Sequence, residues 1–545
     1  MPSTESDSPL LQRYLQALAS ASKARDMERA LAIGEEATQR GIEHPNLLGL
    51  AAQKYMRAGN VEAAYPLLGR ARELSPGNAD VLNDLGLCLV RLGRAREALH
   101  VLDDALRSRP DSAQVHFSRA LAHEQLGQLD DERRELERVI ATEPRHYPAL
   151  SLLAMLAVDR NDVAAVRDYA GRALALSPGG IPAQVALATA DVATKDYVAA
   201  RNRLRSLLAD PSLDPDSRAQ AQTLMGDVLD GEKRYDEAFR CYAASAETQR
   251  RHYAGQFGAT TSESYRARNK RLREYFQASQ VGPWRRREAE ADTQEHVFLL
   301  GFVRSGTTVL GQILAGHPDV EVMHERDCVE EAVREFAGSA EGLDRFAGYS
   351  DSALEPCRRA YWNRAREWGY STQRGVFIDK SPLATSLLPL IVRLFPRARI
   401  LFAHRDPRDV VFSCFRRRFA MSQLKFEMLT LEDIATSYAS TMDLADLYRQ
   451  RLEISYYGAR HESLLSDLDA ETKRICEHLG IAFDAKMLDF SSRARTVNID
   501  IPNSAGLARG LSRENEGHWR HYERELAPIM PMLAPIRARL GYPET

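Results

Sequence analysis

The stretch richest in possible chemistry is GFVRSGTT, Gly301 to Thr308. It follows the phosphate-loop spacing G-x-x-x-x-G-K-[ST], except that Thr307 stands where the pattern has its lysine. The run HVFLLGFV before the loop reads as a strand and TTVLGQILAGH after it as a helix. The backbone N–H groups of Ser305, Gly306, Thr307 and Thr308 are therefore expected to converge on an anion at a helix N-terminus. In a loop that holds a nucleoside triphosphate, the lysine neutralises the β- and γ-phosphates and the next hydroxyl holds Mg²⁺. With Thr307 in that place and Arg304 two residues before Gly306, a cation is kept but the triphosphate arrangement is not. A sulfuryl group carries less charge than a γ-phosphate, so Arg and Lys donors can stabilise its transfer without a metal. The bland alternative is a plain strand-to-helix turn.

A second cluster lies in ILFAHRDPRDVVFSCF. It reads as a strand ending at Arg405, an Asp406-Pro407 pair at the N-cap and first position of a helix, and Ser413 two turns further on. An arginine at a strand end and a serine on the following helix can grip one phosphate from two sides, the arginine bidentately. Arg405 can instead pair with Asp409 as a structural ion bridge. VFIDKSP sets Lys380 at a third strand end, where by itself a lysine is more often a surface charge.

RSGTT after a hydrophobic strand resembles the 5′-phosphosulfate loop of the sulfotransferases that use 3′-phosphoadenosine 5′-phosphosulfate (PAPS), and Arg405 with Ser413 resembles their 3′-phosphate motif. RSGTTVLGQILAGHPDVEVMHERD and DKSPLATSLLPLIVRLFPRARILFAHRD resemble the tyrosylprotein sulfotransferases in particular. That resemblance implies Glu325 as the base, Arg304 and Lys380 as transition-state cations, and PAPS as the sulfuryl donor with no metal. His324 and His317 are rival bases. The likeness extends over residues 295–545, through the tail GHWRHYERELAPIMPMLAPIRARLGY, with departures: His461-Glu462 stands where the family commonly has Tyr-Glu near the adenine, and His518 precedes Trp519 in place of a lysine or arginine. The family's upstream serine falls at or beside Asn503-Ser504.

These residues need a scaffold. HVFLLGFV, VFID and ARILFAH are short apolar runs, each followed by a polar stretch and a helical segment, an alternation that predicts βαβ units around a parallel sheet. Ligands of such folds bind beyond the carboxyl ends of the strands, where every motif above falls. Upstream, Pro76, Pro110, Pro144 and Pro178 recur every 34 residues, and Ala30, Ala64 and Ala98 keep that period. A period of this length means stacked helix pairs. LNDLGLCLVRLGRAREALHVLDDALRSRP resembles the tetratricopeptide repeat, with Gly86, Ala98 and Ala105 at the helix crossing and Pro110 after it. Weaker copies end with Gly226, Ala238 and Tyr242, and the phase slips near Pro211 to Pro215. The expected organisation is a six- or seven-repeat α-helical solenoid over residues 1–250, a helical connector over 251–294 that carries the charge run Arg285 to Arg287, and a phosphate-loop-like α/β sulfotransferase domain over 295–545. That last domain is expected to bind its nucleotide without residues 1–250.

The 73 basic and 76 acidic residues nearly cancel, so the overall charge gives no reason to expect a nucleic-acid partner. Six cysteines lie far apart without a C-x-x-C pair, which argues against a zinc site and a disulfide framework and fits a reducing compartment. With no basic n-region at the N-terminus and no apolar stretch of membrane length, the expectation is a cytoplasmic protein without membrane insertion. The leading functional expectation is a sulfotransferase acting on a hydroxyl, tyrosine of a peptide or protein included, with a polypeptide on the repeat array. The alternatives are a small-molecule or carbohydrate sulfotransferase, a scaffold whose C-terminal domain binds nucleotide without turnover, and a kinase or NTPase, against which the missing lysine counts.

Overall fold

A computed structural model describes residues 9–258, 263–278, 282–284, 295–371, 375–417, 420–491 and 510–544. Arg285 to Arg287 and Asn503-Ser504 lie outside the described residues. The chain forms two compact units, Met1–Ala190 and Asp191–Thr545.

The first unit is helical. Its helices come in pairs, from Pro9–Lys23 and Met27–Gln39 to Tyr147–Asp159 and Val163–Leu176. The pairs turn at residues with positive φ recurring every 34 positions: Arg25, Gly59, Gly93, Gly127 and Asn161. Side-chain caps start the helices: Asn78, for instance, accepts from the N–H groups of Asp80 and Val81. Ala98 and Ala105 are fully buried, and a Cβ on Gly86 would stand 2.5 Å from the Leu102 side chain, which would have to shift to admit it. The helical repeat solenoid expected from the proline and alanine period is what the chain forms.

In the second unit the same register continues. The helix Pro215–Gly231 starts in phase but runs for 17 residues, where Ile181–Ala193 and the matching helices before it have 13. One added turn thus absorbs the phase slip. Gly226 packs on Tyr242 of the helix Tyr235–Phe257 as Gly86 packs on Leu102; a Cβ there would stand 2.4 Å from the ring. After the connector helix Tyr265–Ala278 comes an all-parallel sheet of β1 (Glu295–Leu300), β2 (Val320–His324), β3 (Val376–Lys380), β4 (Arg399–His404) and β5 (Ser455–Arg460), in the order β2-β3-β1-β4-β5. β1 is central and buried on both faces from His296 onward. Val297 and Leu299 pack with Leu310, Ile313 and Ile378 on one side, while Phe298 meets Tyr361 and Phe395 on the other. The chain leaves β1 toward one edge through β2 and β3, then crosses to the other through β4 and β5. That reversal opens a crevice at the carboxyl ends beside β1.

Candidate active site

Every element of the site begins where a strand stops. Gly301 follows β1, Glu325 follows β2, Lys380 closes β3, Arg405 follows β4 and His461 follows β5. Register aligns these ends: Leu299 pairs with Lys380 and Leu401, His324 with Lys380, and His404 with Arg460.

The loop after β1 turns through Arg304 at φ 70° and Gly306 at φ 102°, then opens the helix Thr307–Leu314. A left-handed non-glycine residue costs on the order of 1 kcal/mol, strain that concentrates at functional sites. Ser305 ties the loop together: its hydroxyl donates to the Phe302 carbonyl at 2.7 Å, and its N–H turns to the same carbonyl at 3.2 Å. The cradle expected over Ser305 to Thr308 therefore opens at Gly306, which gives the helix no side-chain cap and leaves its first N–H groups for an anion. Gly306 is required twice, by its φ and because a Cβ there would stand 3.0 Å from Nδ1 of His461.

Arg304 joins the two sequence motifs, its Nε donating to Ser413 Oγ at 3.1 Å. Burial, together with the charges of Arg417, Arg405 and Arg416, pushes this guanidinium down to about 10. Such a cluster of cations calls for an anion. The ring of His461 lies in the same field: burial, then Arg405 and Arg304, push it down to about 3, and its buried Nδ1 has no partner. Strand end and helix N-cap form as the sequence predicts, Asp406 accepting from the Arg408 N–H with Pro407 in the first turn. Arg405 itself donates to the Asn515 carbonyl at 2.6 Å and stands 3.8 Å from Asp409, so the ion bridge is present but long.

Across the crevice, the ammonium of Lys380 is buried and lies 2.5 Å from Oε1 of Glu325, whose side chain is half exposed. The Glu325 N–H donates to the Lys380 carbonyl at 2.8 Å, and its backbone takes φ 48° to do so. Burial pushes the Lys380 ammonium down, and Glu325 pulls it back up. The rival bases are otherwise engaged. His317 uses both ring nitrogens to shape its turn, on the Ala482 carbonyl and the Asp319 N–H. Burial pushes His324 down to about 3, helped by Lys380 and Arg326, which makes it a poor base near neutrality. Beside Glu325 opens a cleft of about 440 Å³, bordered by Tyr265, Arg268, Ser381, Leu383 and Gln423.

Glu462, which keeps the family's glutamate, and His518, which departs from its pattern, each have a structural partner. Glu462 accepts from the Asp406 N–H at 3.0 Å and from the Tyr542 hydroxyl at 2.8 Å, so it braces the helix start. His518 turns away from the loop to Asp230, 2.9 Å away. The sequence reading missed Arg416, Arg417 and Asn515; the Arg416-Arg417-Arg418 run directly after the phosphate-motif helix was the available signal. Among the described residues no cluster of three or more side chains suited to hold a metal occurs, and no helix is long and apolar enough to cross a membrane.

Residues 296–485 match the model of the sulfotransferase family, and residues 55–123 that of the tetratricopeptide repeat. The chain is similar to an uncharacterized protein of Aquifex aeolicus, 21% identical over 416 residues, 74% of this chain and about half (52%) of that protein's length. It is also similar to protein-tyrosine sulfotransferase 2 of Gallus gallus, 25% identical over 261 residues, 45% of this chain and 69% of that one. Among solved structures it resembles the sulfotransferase domain from the curacin biosynthetic pathway, with a TM-score of 0.31 and 16% identity over 46% of this chain and 99% of that one. One segment of the chain is thus similar to the tetratricopeptide repeat and another to the sulfotransferase family.

Proposed function

We propose that this protein is a sulfotransferase that moves a sulfuryl group from PAPS to a hydroxyl acceptor, with tyrosine in a peptide or protein as the first acceptor to consider. The observation that carries the reading is the meeting of a lysine-free phosphate loop with Arg304, Ser413 and the Lys380–Glu325 pair at the carboxyl ends of one parallel sheet. In this reading Gly306, Thr307 and Thr308 hold the 5′-phosphosulfate with Ser305 bracing their loop, Arg405 and Ser413 hold the 3′-phosphate, and His461 lies against the nucleotide. Transfer forms one S–O bond to the acceptor oxygen and breaks the S–O bond to the 5′-phosphate. Charge builds on that leaving phosphate, where Arg304 and Lys380 stabilise it in a site with little water. The acceptor proton passes to Glu325, since a phenol with a pKa near 10 needs a base at neutral pH.

The cleft beside Glu325 supports an acceptor on that side, its volume lying within the roughly 300–1,000 Å³ of small-ligand sites. We assign residues 1–250 as the repeat array, 251–294 as the connector and 295–545 as the catalytic part. A groove in the first unit, bordered by Asn46, Gln53, Asp80 and Asp84, supports a polypeptide partner on the repeats. The six unpaired cysteines support a cytoplasmic location. Calorimetry with 3′-phosphoadenosine 5′-phosphate in a chelator tests the donor assignment. Binding without Mg²⁺ is expected; binding of MgATP in its place, with hydrolysis, overturns it.

A further inference from the structure

We propose that the last helix pair of the repeat array is a working part of the donor site, and that Asp230 is a positioning residue for Arg405. The proposal rests on the donor reading above. Asp230 lies near the end of Pro215–Gly231, with its side chain 13% exposed. Its Oδ1 takes hydrogen bonds from His518 Nε2 at 2.9 Å and from the Tyr522 hydroxyl, and its Oδ2 stands 3.6 Å from Arg416. Arg416 in turn donates to the side-chain oxygen of Asn515, and the Asn515 carbonyl accepts from Arg405 at 2.6 Å. A continuous line of polar contacts thus runs from a repeat helix to the phosphate arginine.

The line has a charge logic. Asp227 and Asp230 are three residues apart, on one face of the helix. Each faces one cation of the arginine run, Asp227 at 3.6 Å from Arg417 and Asp230 at 3.6 Å from Arg416. Arg304, by contrast, makes no ion pair among the described residues. The repeat carboxylates pair with the two arginines behind the site, while Arg405 keeps only its long contact to Asp409. In the register set by Gly226 on Tyr242 and Gly86 on Leu102, these aspartates stand where the earlier repeat has Leu87 and Val90. Asp227 also takes a hydrogen bond from the Tyr242 hydroxyl of the paired helix at 2.9 Å, whereas the side-chain partners of Asp230, His518, Tyr522 and Arg416, lie outside the repeat.

An apolar seam holds the pair in place. Phe239 meets Phe415 at 5.3 Å, Tyr242 meets Phe412 at 6.5 Å, and Phe412 meets Tyr522 at 4.1 Å between ring centroids. The opposite side of the same tail segment is clamped by Asp409, which accepts from the Gly517 and Trp519 N–H groups at 2.7 and 3.1 Å. Asn515 to Trp519 is therefore stretched between the arginine helix and the repeat.

The test is a cycle in the full-length protein, reading affinity for 3′-phosphoadenosine 5′-phosphate and for adenosine 5′-phosphate, which lacks the 3′-phosphate. Asp230→Asn is expected to weaken the first about tenfold and to leave the second within about twofold. In an Arg405→Ala background the same change is expected to add nothing, because the group it positions is gone. Equal loss for both nucleotides, no loss, or the full loss in the Arg405→Ala background overturns the proposal. Should Asp230→Asn not fold, Arg416→Gln breaks the line at its next member and is read in the same way. Absence of 3′-phosphoadenosine 5′-phosphate binding by the unaltered protein overturns the donor reading itself, and this one with it.

Discussion

Lys380 Nζ and Glu325 Oε1 lie 2.5 Å apart, the ammonium buried and the carboxylate half exposed to the cleft. In the proposed reading the pair spans the boundary between the donor and acceptor sides of the crevice. The carboxylate pulls the buried ammonium back up against the lowering by burial, and the ammonium fixes the carboxylate's direction.

Glu325→Gln is expected to lower kcat by about 10²–10⁴-fold, the usual contribution of a general base. Affinity for 3′-phosphoadenosine 5′-phosphate should stay within about threefold, under 1 kcal/mol, because the carboxylate faces the acceptor. Steady-state kinetics with nucleotide titration checks both. Wild-type kcat in Glu325→Gln, with loss in His324→Ala, would move the base to the histidine.

Arg405→Ala should weaken 3′-phosphoadenosine 5′-phosphate by roughly 1.5–3 kcal/mol, the worth of a bond to a charged group, while adenosine 5′-phosphate is little affected. The Arg405–Asp409 contact of 3.8 Å is too long to be its main employment. Equal losses for the two nucleotides would make Arg405 structural.

Deleting residues 1–190 is expected to leave nucleotide affinity within about threefold, since the compact unit begins at Asp191. Deleting 1–250 takes Asp227, Asp230 and the aromatic seam with it and should weaken the nucleotide. The expectation from the sequence, that residues 295–545 bind nucleotide without residues 1–250, predicts the opposite result. Identical affinities for the two truncations would restore it.

The second unit should lose stability as pH falls below about 6.5. Burial pushes His296, His324 and His461 down to about 3 and His404 to about 4. The unfolded chain thus takes up protons between 6.5 and those values that the folded unit refuses. For the fully buried His296 this is about 1.4 kcal/mol per pH unit. Asp379, which burial pushes up to about 6, works in the opposite direction below pH 6 and offsets about one histidine. Thermal unfolding should show a midpoint that drops from pH 6.5 to 5, less steeply in His296→Phe. A flat profile would contradict it.

The central strands were legible because HVFLLGFV, VFID and ARILFAH are apolar on both faces, as β1, β3 and β4 must be between two layers. The edge strands were not. VEVMH carries an outward glutamate, and SYYGAR is only partly buried, so neither stands out from loop. Local chemistry also read well: Asp406 caps its helix and Gly306 turns the loop as their types dictate. What the sequence could not reveal was long-range pairing. Glu325 meets Lys380 across 55 positions, and His518 reaches Asp230 across 288. Only the fold brings such residues together, which is why Asp230 reads as an ordinary repeat residue until its neighbours are known.

The central claim is transfer of a sulfuryl group from PAPS. The direct measurement mixes the full-length protein with PAPS carrying radiolabelled sulfur and an acceptor panel of a tyrosine peptide, a small phenol and a sugar, in a metal chelator. Label is expected on the hydroxyl of at least one acceptor, undiminished by the chelator and lowered at least about 100-fold in Glu325→Gln. Bound 3′-phosphoadenosine 5′-phosphate with no label on any acceptor, or turnover that appears only with Mg²⁺ and ATP, would contradict it.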